Sequence, residues 1–261
     1  MLGWFRPTCP VDANAKRWLE ERLGWVCQQF PDNVFHERGM ILPTDEFFPD
    51  PYDGSQNVAW SILNRVCRYM GVDHARVTLK FFRNNRDLYF VNGSGEPIPT
   101  GAAGTYELRP NYHLIRIEEN ELQEPMCLVG TIAHELAHAR LLGEGYLHGR
   151  EFDHELLTDL TTIVLGLGIF LANSPRHWPS QQSRWPWGDA HNKPDYMTPA
   201  MYGYALAHVA WARGERTPAW SKHLNWSARL NFKESQNYLW KTGGTSFKRP
   251  RSTSSESDIQ S

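Results

Sequence analysis

The chain has 261 residues, of which 41% are hydrophobic and 21% are charged, and its formal net charge is −2. This length and composition predict one globular domain with a sizeable core and exclude a chain that is largely disordered. Because 27 basic residues nearly balance 29 acidic ones, the broad positive field of a general nucleic-acid binder is missing, and we expect no nucleic acid as a partner.

The first part of the chain is predicted to combine helices with short strands. A helix extends from about Asp12 to Phe30, and a second helix spans Ser55–Met70 after a proline-rich ordered loop at residues 42–54. The alternation of apolar residues predicts strands at Val77–Phe82, Leu88–Val91 and Tyr112–Ile117. The Gly/Pro-rich residues 92–104 are predicted to be a connection or flap.

The remainder of the chain is predicted to be mostly helical. Helices are expected at about Pro125–Leu142, Asp153–Ala172 and Pro199–Arg213, with one or two more between Pro218 and Lys241. Residues 173–199 are predicted to be a loop, and residues 245–261, rich in serine and charge, a disordered tail. We therefore predict a single domain over residues 1–244 with two lobes, about 1–143 and 144–244.

The apolar stretches and the cysteines of the chain indicate its location in the cell. The longest apolar stretch without charge, Leu160–Pro175, is shorter than the roughly 20 residues that span a bilayer, so we predict a buried helix and no membrane span. The first residues lack the pattern of a secretory signal, and the four cysteines show no Cys-x-x-Cys spacing. These features predict a cytoplasmic protein with reduced thiols.

A His-Glu-x-x-His motif lies inside the predicted helix Pro125–Leu142. His134 and His138 are four residues apart, so a helix projects both imidazoles to one side, as a divalent metal requires. Glu135 lies one step round the helix, where its carboxylate can accept a proton from water and later deliver it to a leaving amine. The motif indicates a metal-dependent hydrolase with Glu135 as the general base.

A third ligand is predicted on the next helix. Glu155 and Asp159 are again four residues apart and share a face, so one carboxylate can complete a His/His/Glu site while the other accepts the remaining N–H of a ligating imidazole. Three protein ligands leave the fourth position of a tetrahedral zinc ion open, as in catalytic sites. His148 and His154 are alternative ligands, but a solvated loop position and a hydrogen bond near the site explain them more simply.

These two helices together resemble the gluzincin, or thermolysin-like, metallopeptidases, in which an HExxH helix is followed by a helix with Glu-x-x-Ser/Thr-Asp. The resemblance covers about Val129–Gly168. It implies one zinc ion per chain, with the following residues in its site: His134, His138 and Glu155 as zinc ligands, Glu135 as the catalytic base, and Asp159 as the residue that orients a ligand.

The resemblance and the predicted elements indicate an α+β, zincin-like fold with a small sheet and helices in the N-terminal half, the HExxH helix, and a mostly helical C-terminal half. In the family, the strand before the HExxH helix is often the sheet edge on which an extended substrate docks, here Tyr112–Ile117. Tyr202, Tyr204 and His208 are candidates for the residue that steadies the oxyanion, although aromatic packing is the simpler interpretation.

We expect a zinc-dependent metallopeptidase that acts on a peptide or protein substrate. Two alternatives stay open: a regulatory or protein-interaction zincin with little turnover of generic peptides, and a non-peptidase zinc amidohydrolase that acts on a small amide. The amidohydrolase would have a closed pocket and a paired substrate-edge strand, whereas a peptidase would leave the edge of Tyr112–Ile117 open. Cleavage specificity and oligomeric state do not follow from the sequence.

Overall fold

The structure is a computed structural model that describes residues 6–36, 38–83, 87, 89–91, 97–99, 101–149, 151–174 and 196–248. These residues form an α+β fold that is mostly helical and contains a small three-stranded sheet, as the sequence predicts. One hydrophobic core extends from Val11 to Phe247 and joins the N-terminal and C-terminal parts of the chain.

The helices begin and end close to their predicted positions. Their bounds are α1 (Ala13–Gln29), α2 (Gln56–Met70), α3 (Pro125–His138), α4 (His154–Thr162), α5 (Gly168–Asn173), α6 (Pro199–Ala212) and α7 (Trp226–Thr242). Asp12 caps α1 by accepting the N–H groups of Asn14 and Ala15, and Gly71 ends α2 in the left-handed conformation. Single π-helical turns follow α3 at Ala139–Gly143 and α4 at Ile163–Leu167.

The strands are β1 (Val77–Phe82), β2 (Tyr89–Val91), β3 (Pro97–Pro99), β4 (Gly104–Leu108) and β5 (His113–Glu118). The main sheet has the order β1-β5-β4, with β1 parallel and β4 antiparallel to β5, and β2 and β3 form a separate antiparallel pair. Neither β3 nor β4 is predicted from the sequence, because both lie in or next to the Gly/Pro-rich segment and neither shows a clear apolar alternation.

The prediction that Tyr112–Ile117 forms the edge of the sheet is wrong. Tyr112–Ile117 corresponds to β5, which is the central strand because β1 pairs with one side and the unpredicted β4 pairs with the other. The edge strand next to α3 is β4, and no further strand pairs with its outer side in the part of the chain that the structure describes.

The predicted helix Asp153–Ala172 is interrupted at Gly166, whose φ of 96° only glycine adopts readily. The interruption exposes carbonyl groups that accept hydrogen bonds from a neighbouring loop, with Val34 N–H to Val164 O at 3.1 Å and Ile41 N–H to Gly166 O at 2.9 Å. The break therefore docks Val34 and Ile41 onto the core without leaving these backbone groups unpaired.

The segment His154–Asn173 is long and apolar enough to cross a membrane by length and composition alone. However, 89% of its most apolar window is buried inside the protein, where it contacts α1, α3 and α6. A core helix meets the same criteria, so this segment is only weak support for a membrane span.

The prediction that residues 245–261 are disordered is wrong for the first of them. Phe247 is buried and packs against Phe35 at a ring distance of 5.1 Å. The backbone N–H and the hydroxyl of Ser246 donate to Glu20 Oε2 at 2.9 and 2.6 Å. These contacts hold the chain against α1 up to this point. Residues 249–261 of the predicted tail, and residues 175–195 of the predicted loop, lie outside the described residues.

Candidate metal centre

Three predicted ligands meet between α3 and the first turn of α4. Glu155 Oε2 lies 3.0 Å from His134 Nε2 and 3.5 Å from His138 Nε2, and the three ligand atoms are all within 4.8 Å of one another. Both histidines are buried and Glu155 is partly buried. This group could hold a metal ion, and the two helices bring it together because each presents its polar residues at helical spacing.

Both ring nitrogens of His134 face carboxylates. Nδ1 lies 2.9 Å from Asp159 Oδ1, and Nε2 lies 3.0 Å from Glu155 Oε2. A neutral imidazole carries one N–H, so it can donate to only one of these oxygens. When Asp159, which is fully buried, accepts the Nδ1 proton, the Nε2 lone pair faces Glu155, and a cation between the two satisfies both atoms.

The orientation of His138 is set by a residue that the sequence analysis missed. The Thr158 hydroxyl donates to the carbonyl oxygen of His154 at 2.7 Å, so its oxygen can accept the Nδ1 proton of His138, 3.2 Å away. The Nε2 lone pair of His138 then also faces Glu155. Thr158 lies three residues after Glu155, and this spacing on a helix is the signal that could have found it.

The donor set and its charge suit a divalent cation. Without a cation, burial raises the pKa of Glu155, but hydrogen bonds from His134, His138 and His154 bring it well below its usual range, so the group is a carboxylate. A bound cation would take the place of the Nε2 protons of His134 and His138. Two imidazoles and one carboxylate form a typical catalytic zinc set, whereas structural sites use four ligands. Among the described residues, the group contains only these three ligands.

The Glu135 carboxylate is buried against the edge strand β4. Gly104 faces it so closely that a Cβ atom there would lie 2.7 Å from Glu135 Oε1 and 2.7 Å from Thr131 Cγ2. The missing side chain therefore lets the backbone of β4 approach the carboxylate directly. Glu135 follows the predicted ligand His134 on α3, and its carboxylate lies at the sheet edge.

The outer edge of β4 offers backbone groups beside this site. At its two ends, Ala103 O accepts the N–H of Glu118, and Arg109 N–H donates to Tyr112 O. In an antiparallel pair, residues that are hydrogen-bonded to the partner strand alternate with residues that are not. Between these two ends, the backbone groups that point away from β5 are therefore those of Gly104, Tyr106 and Leu108. A peptide could pair with this edge next to Glu135.

Tyr106, which the sequence analysis did not identify, packs on a ligand. Its ring stacks on His138 with a centroid distance of 5.8 Å and an interplanar angle of 22°. Its hydroxyl forms a 2.9 Å hydrogen bond with His113 Nδ1, and burial raises its pKa to about 12. Tyr106 therefore restricts the His138 ring from the side of β4.

The candidate oxyanion residues lie in α6. Tyr204 and His208 are fully buried there; Tyr204 donates to Glu20 Oε1 at 2.8 Å, and His208 lies 2.9 Å from both Tyr204 O and Thr245 Oγ1. These contacts serve packing between α1, α6 and the chain after α7. Tyr202 is buried in the same helix.

Two further side chains lie beside the metal centre: Tyr196, which the sequence did not point to, and His154, which the sequence offered as an alternative ligand. The ring of Tyr196 lies 5.8 Å from that of His134 and is 37% exposed. His154 Nε2 lies 3.1 Å from Glu155 Oε1, as a hydrogen-bonding neighbour of the site would. His148 lies in an exposed loop, where its N–H donates to Glu151 Oε1.

No family model, curated protein or solved structure matches this chain. The function must therefore be argued from the chemistry of the site itself.

Proposed function

We propose that this protein is a zinc-dependent metallopeptidase. The observation that carries the proposal is the placement of three ligand atoms within 4.8 Å of one another, beside a buried Glu135 and the edge strand β4, whose outer side carries no further strand among the described residues. A zinc ion bound there supplies a Lewis acid that polarises the scissile carbonyl and lowers the pKa of water. This assignment agrees with the resemblance to gluzincins in the sequence.

The chain supplies the proton transfer and the orientation of the ligands. Glu135 accepts a proton from the attacking water and delivers it to the leaving amine. Asp159 and Thr158 hold His134 and His138 with their Nε2 lone pairs directed to one point. Because these partners are buried, the ligand geometry is set before any substrate arrives.

The outer edge of β4, which has no strand partner among the described residues, favours a peptide over a small amide. The backbone groups of Gly104 and Tyr106 point outward from β4. Gly104 lies against Glu135, and the ring of Tyr106 stacks on His138. A substrate strand that pairs there brings a main-chain carbonyl next to the metal centre. The criterion set for Tyr112–Ile117 does not favour the peptidase, because this strand, β5, is paired on both sides. The proposal of a peptide substrate rests instead on β4, which among the described residues has a strand on its inner side only. In the regulatory alternative, a protein segment binds to this edge in the same way but is cleaved rarely.

The proposal is tested by metal analysis and peptide hydrolysis on the purified protein. We expect one zinc per chain, loss of metal in Glu155→Ala, and retention of metal with loss of hydrolysis in Glu135→Gln. Glu46→Gln, at an exposed loop position, is the matched control and should behave as the parent. Metal binding without cleavage of any peptide in a diverse library would reject the peptidase and favour the regulatory alternative, while absence of metal after reconstitution would reject both.

A further inference from the structure

We propose that Leu108 is a specificity-determining residue, and that the substrate carries a large apolar side chain where its strand passes this residue. This inference rests on the proposed function, because it takes the outer edge of β4 as the place where a peptide binds. It goes beyond that function by naming the class of peptide that binds there.

Leu108 lies on the same face of β4 as the two residues that contact α3. Side chains alternate between the two faces of a strand, so Gly104, Tyr106 and Leu108 share one face. Gly104 lies against Glu135, where an added Cβ atom would be 2.7 Å from Oε1, and the ring of Tyr106 stacks on that of His138. The side chain of Leu108 therefore projects from the sheet on the side of the candidate metal centre.

The end of β4 leaves the Leu108 side chain open to solvent. Leu108 pairs with His113 of β5. At this level the turn after α3 presents Gly143, where an added Cβ atom would lie 2.6 Å from His113 Cε1. Leu108 is nevertheless 53% exposed. A peptide that pairs with the outer edge removes part of this apolar surface from water, which favours an apolar substrate residue at this point.

The charges of the hairpin formed by β4 and β5 are directed away from this surface. Glu107, one residue before Leu108, points to the other face of the sheet, where it forms an ion pair with Arg116 at 3.0 Å. Burial and the nearby charge of Arg76 lower the pKa of His113, so its ring is neutral at pH 7. Leu108 and its cross-strand partner are thus both uncharged, and they suit an apolar side chain better than a charged one.

The spacing of a paired strand decides which substrate residue meets Leu108. The outward backbone groups of β4 belong to Gly104, Tyr106 and Leu108, so a peptide on this edge places alternate residues beside them. Neighbours on one face of two paired strands have Cβ atoms about 5 Å apart, which is close enough for direct contact. The residue beside Leu108 lies two positions from the one beside Tyr106, so a single substrate position should carry the preference.

The test uses a peptide library in which one position at a time is varied. Its cleavage is compared for the parent, Leu108→Glu, Leu108→Ser and Leu108→Met, with Leu230→Glu as the matched control because Leu230 is an exposed leucine on α7. The same peptides, labelled with a fluorophore, are titrated into zinc-loaded Glu135→Gln protein with and without Leu108→Glu, so that binding is measured without cleavage. Circular dichroism and zinc content check that each variant is folded and loaded.

We expect the parent to prefer large apolar residues over glycine by about 10-fold at one position. Leu108→Glu should prefer lysine or arginine at that position and keep the parent's preferences elsewhere. Leu108→Ser should lose the preference, whereas Leu108→Met and Leu230→Glu should keep it. A damaged fold lowers the cleavage of all peptides alike, so a change confined to one position reports a direct contact.

The outcomes separate this inference from the proposed function. Cleavage with preferences that Leu108→Glu and Leu108→Ser leave unchanged overturns the inference but keeps the peptidase. If the parent cleaves no peptide, the peptidase is rejected and the binding titration decides. Binding that favours apolar residues at one position and loses this preference in Leu108→Glu supports the inference, whereas binding that the substitution leaves unchanged, or no binding at all, overturns it.

Discussion

Asp159 accepts a hydrogen bond from Nδ1 of His134 at 2.9 Å, and both side chains are almost completely buried. The other oxygen of the same carboxylate accepts the backbone N–H of Met197 at 3.0 Å. One buried side chain therefore joins the metal centre to the chain that enters α6. The residue before Met197 is Tyr196, whose ring lies 5.8 Å from that of His134.

Replacement of Asp159 by asparagine is expected to weaken metal binding about 10- to 100-fold. The two oxygens of Asp159 face two N–H donors, those of His134 and Met197, and an asparagine amide can accept only one of them because its nitrogen is a donor. Zinc affinity measured by chelator competition tests this. Asp45→Asn, at an exposed position, is the control, and equal affinities for the two variants would contradict the expected role of Asp159.

Thr158 offers a test of the His138 orientation with two closely matched substitutions. Thr158→Val keeps the shape but removes the acceptor of the His138 Nδ1 proton, 3.2 Å away, and leaves a buried N–H unpaired. We expect zinc affinity to fall about 10-fold in Thr158→Val and to stay near the parent value in Thr158→Ser, which keeps the hydroxyl. If valine and serine bind zinc equally well, the hydroxyl has no part in orienting His138.

Gly104→Ala separates the general base from the metal. The added methyl group would lie 2.7 Å from Glu135 Oε1, so the carboxylate or the strand must move, and a displacement of about 1 Å can cost about 100-fold in rate. We expect hydrolysis to fall by that order while zinc content is unchanged. In Gly149→Ala the methyl group meets nothing within 4 Å, so this control should keep full activity. Unchanged hydrolysis in Gly104→Ala would show that Glu135 does not act from this position.

His208 predicts a loss of stability in mild acid. Burial lowers its pKa from the ordinary 6.5 to about 4. His208 is therefore protonated below about pH 6.5 in the unfolded chain but only below about pH 4 in the folded chain. The free energy of unfolding therefore falls as the pH decreases through this window, by about 3 kcal/mol in total, and the full stability is present above it.

Urea unfolding of the parent and His208→Gln between about pH 7 and about pH 4.5 measures this effect. The variant should lose less stability over the interval than the parent does, because glutamine does not titrate. His74→Gln, at an exposed histidine, should keep the parent's pH dependence. Parallel curves for the parent and His208→Gln would show that His208 is not the group responsible.

The features that depend on helical spacing could be predicted from the amino-acid sequence. The pairs His134/His138 and Glu155/Asp159 each lie four residues apart, so the face of each helix follows from local geometry alone. Caps such as Asp12 and Gly71 fixed helix ends for the same reason, since they bond within a few residues of the chain.

The elements that pack against those helices could not be predicted in this way, because they come from distant parts of the chain. The strand β4 forms through long-range pairing with β5 and not through its own apolar pattern, so neither the true sheet edge nor the contact of Gly104 with Glu135 follows from local spacing. Likewise, the contacts of Glu155 Oε2 with His134 and His138 depend on how α3 and α4 dock. Docking is set by burial over the whole core, which no window of sequence contains.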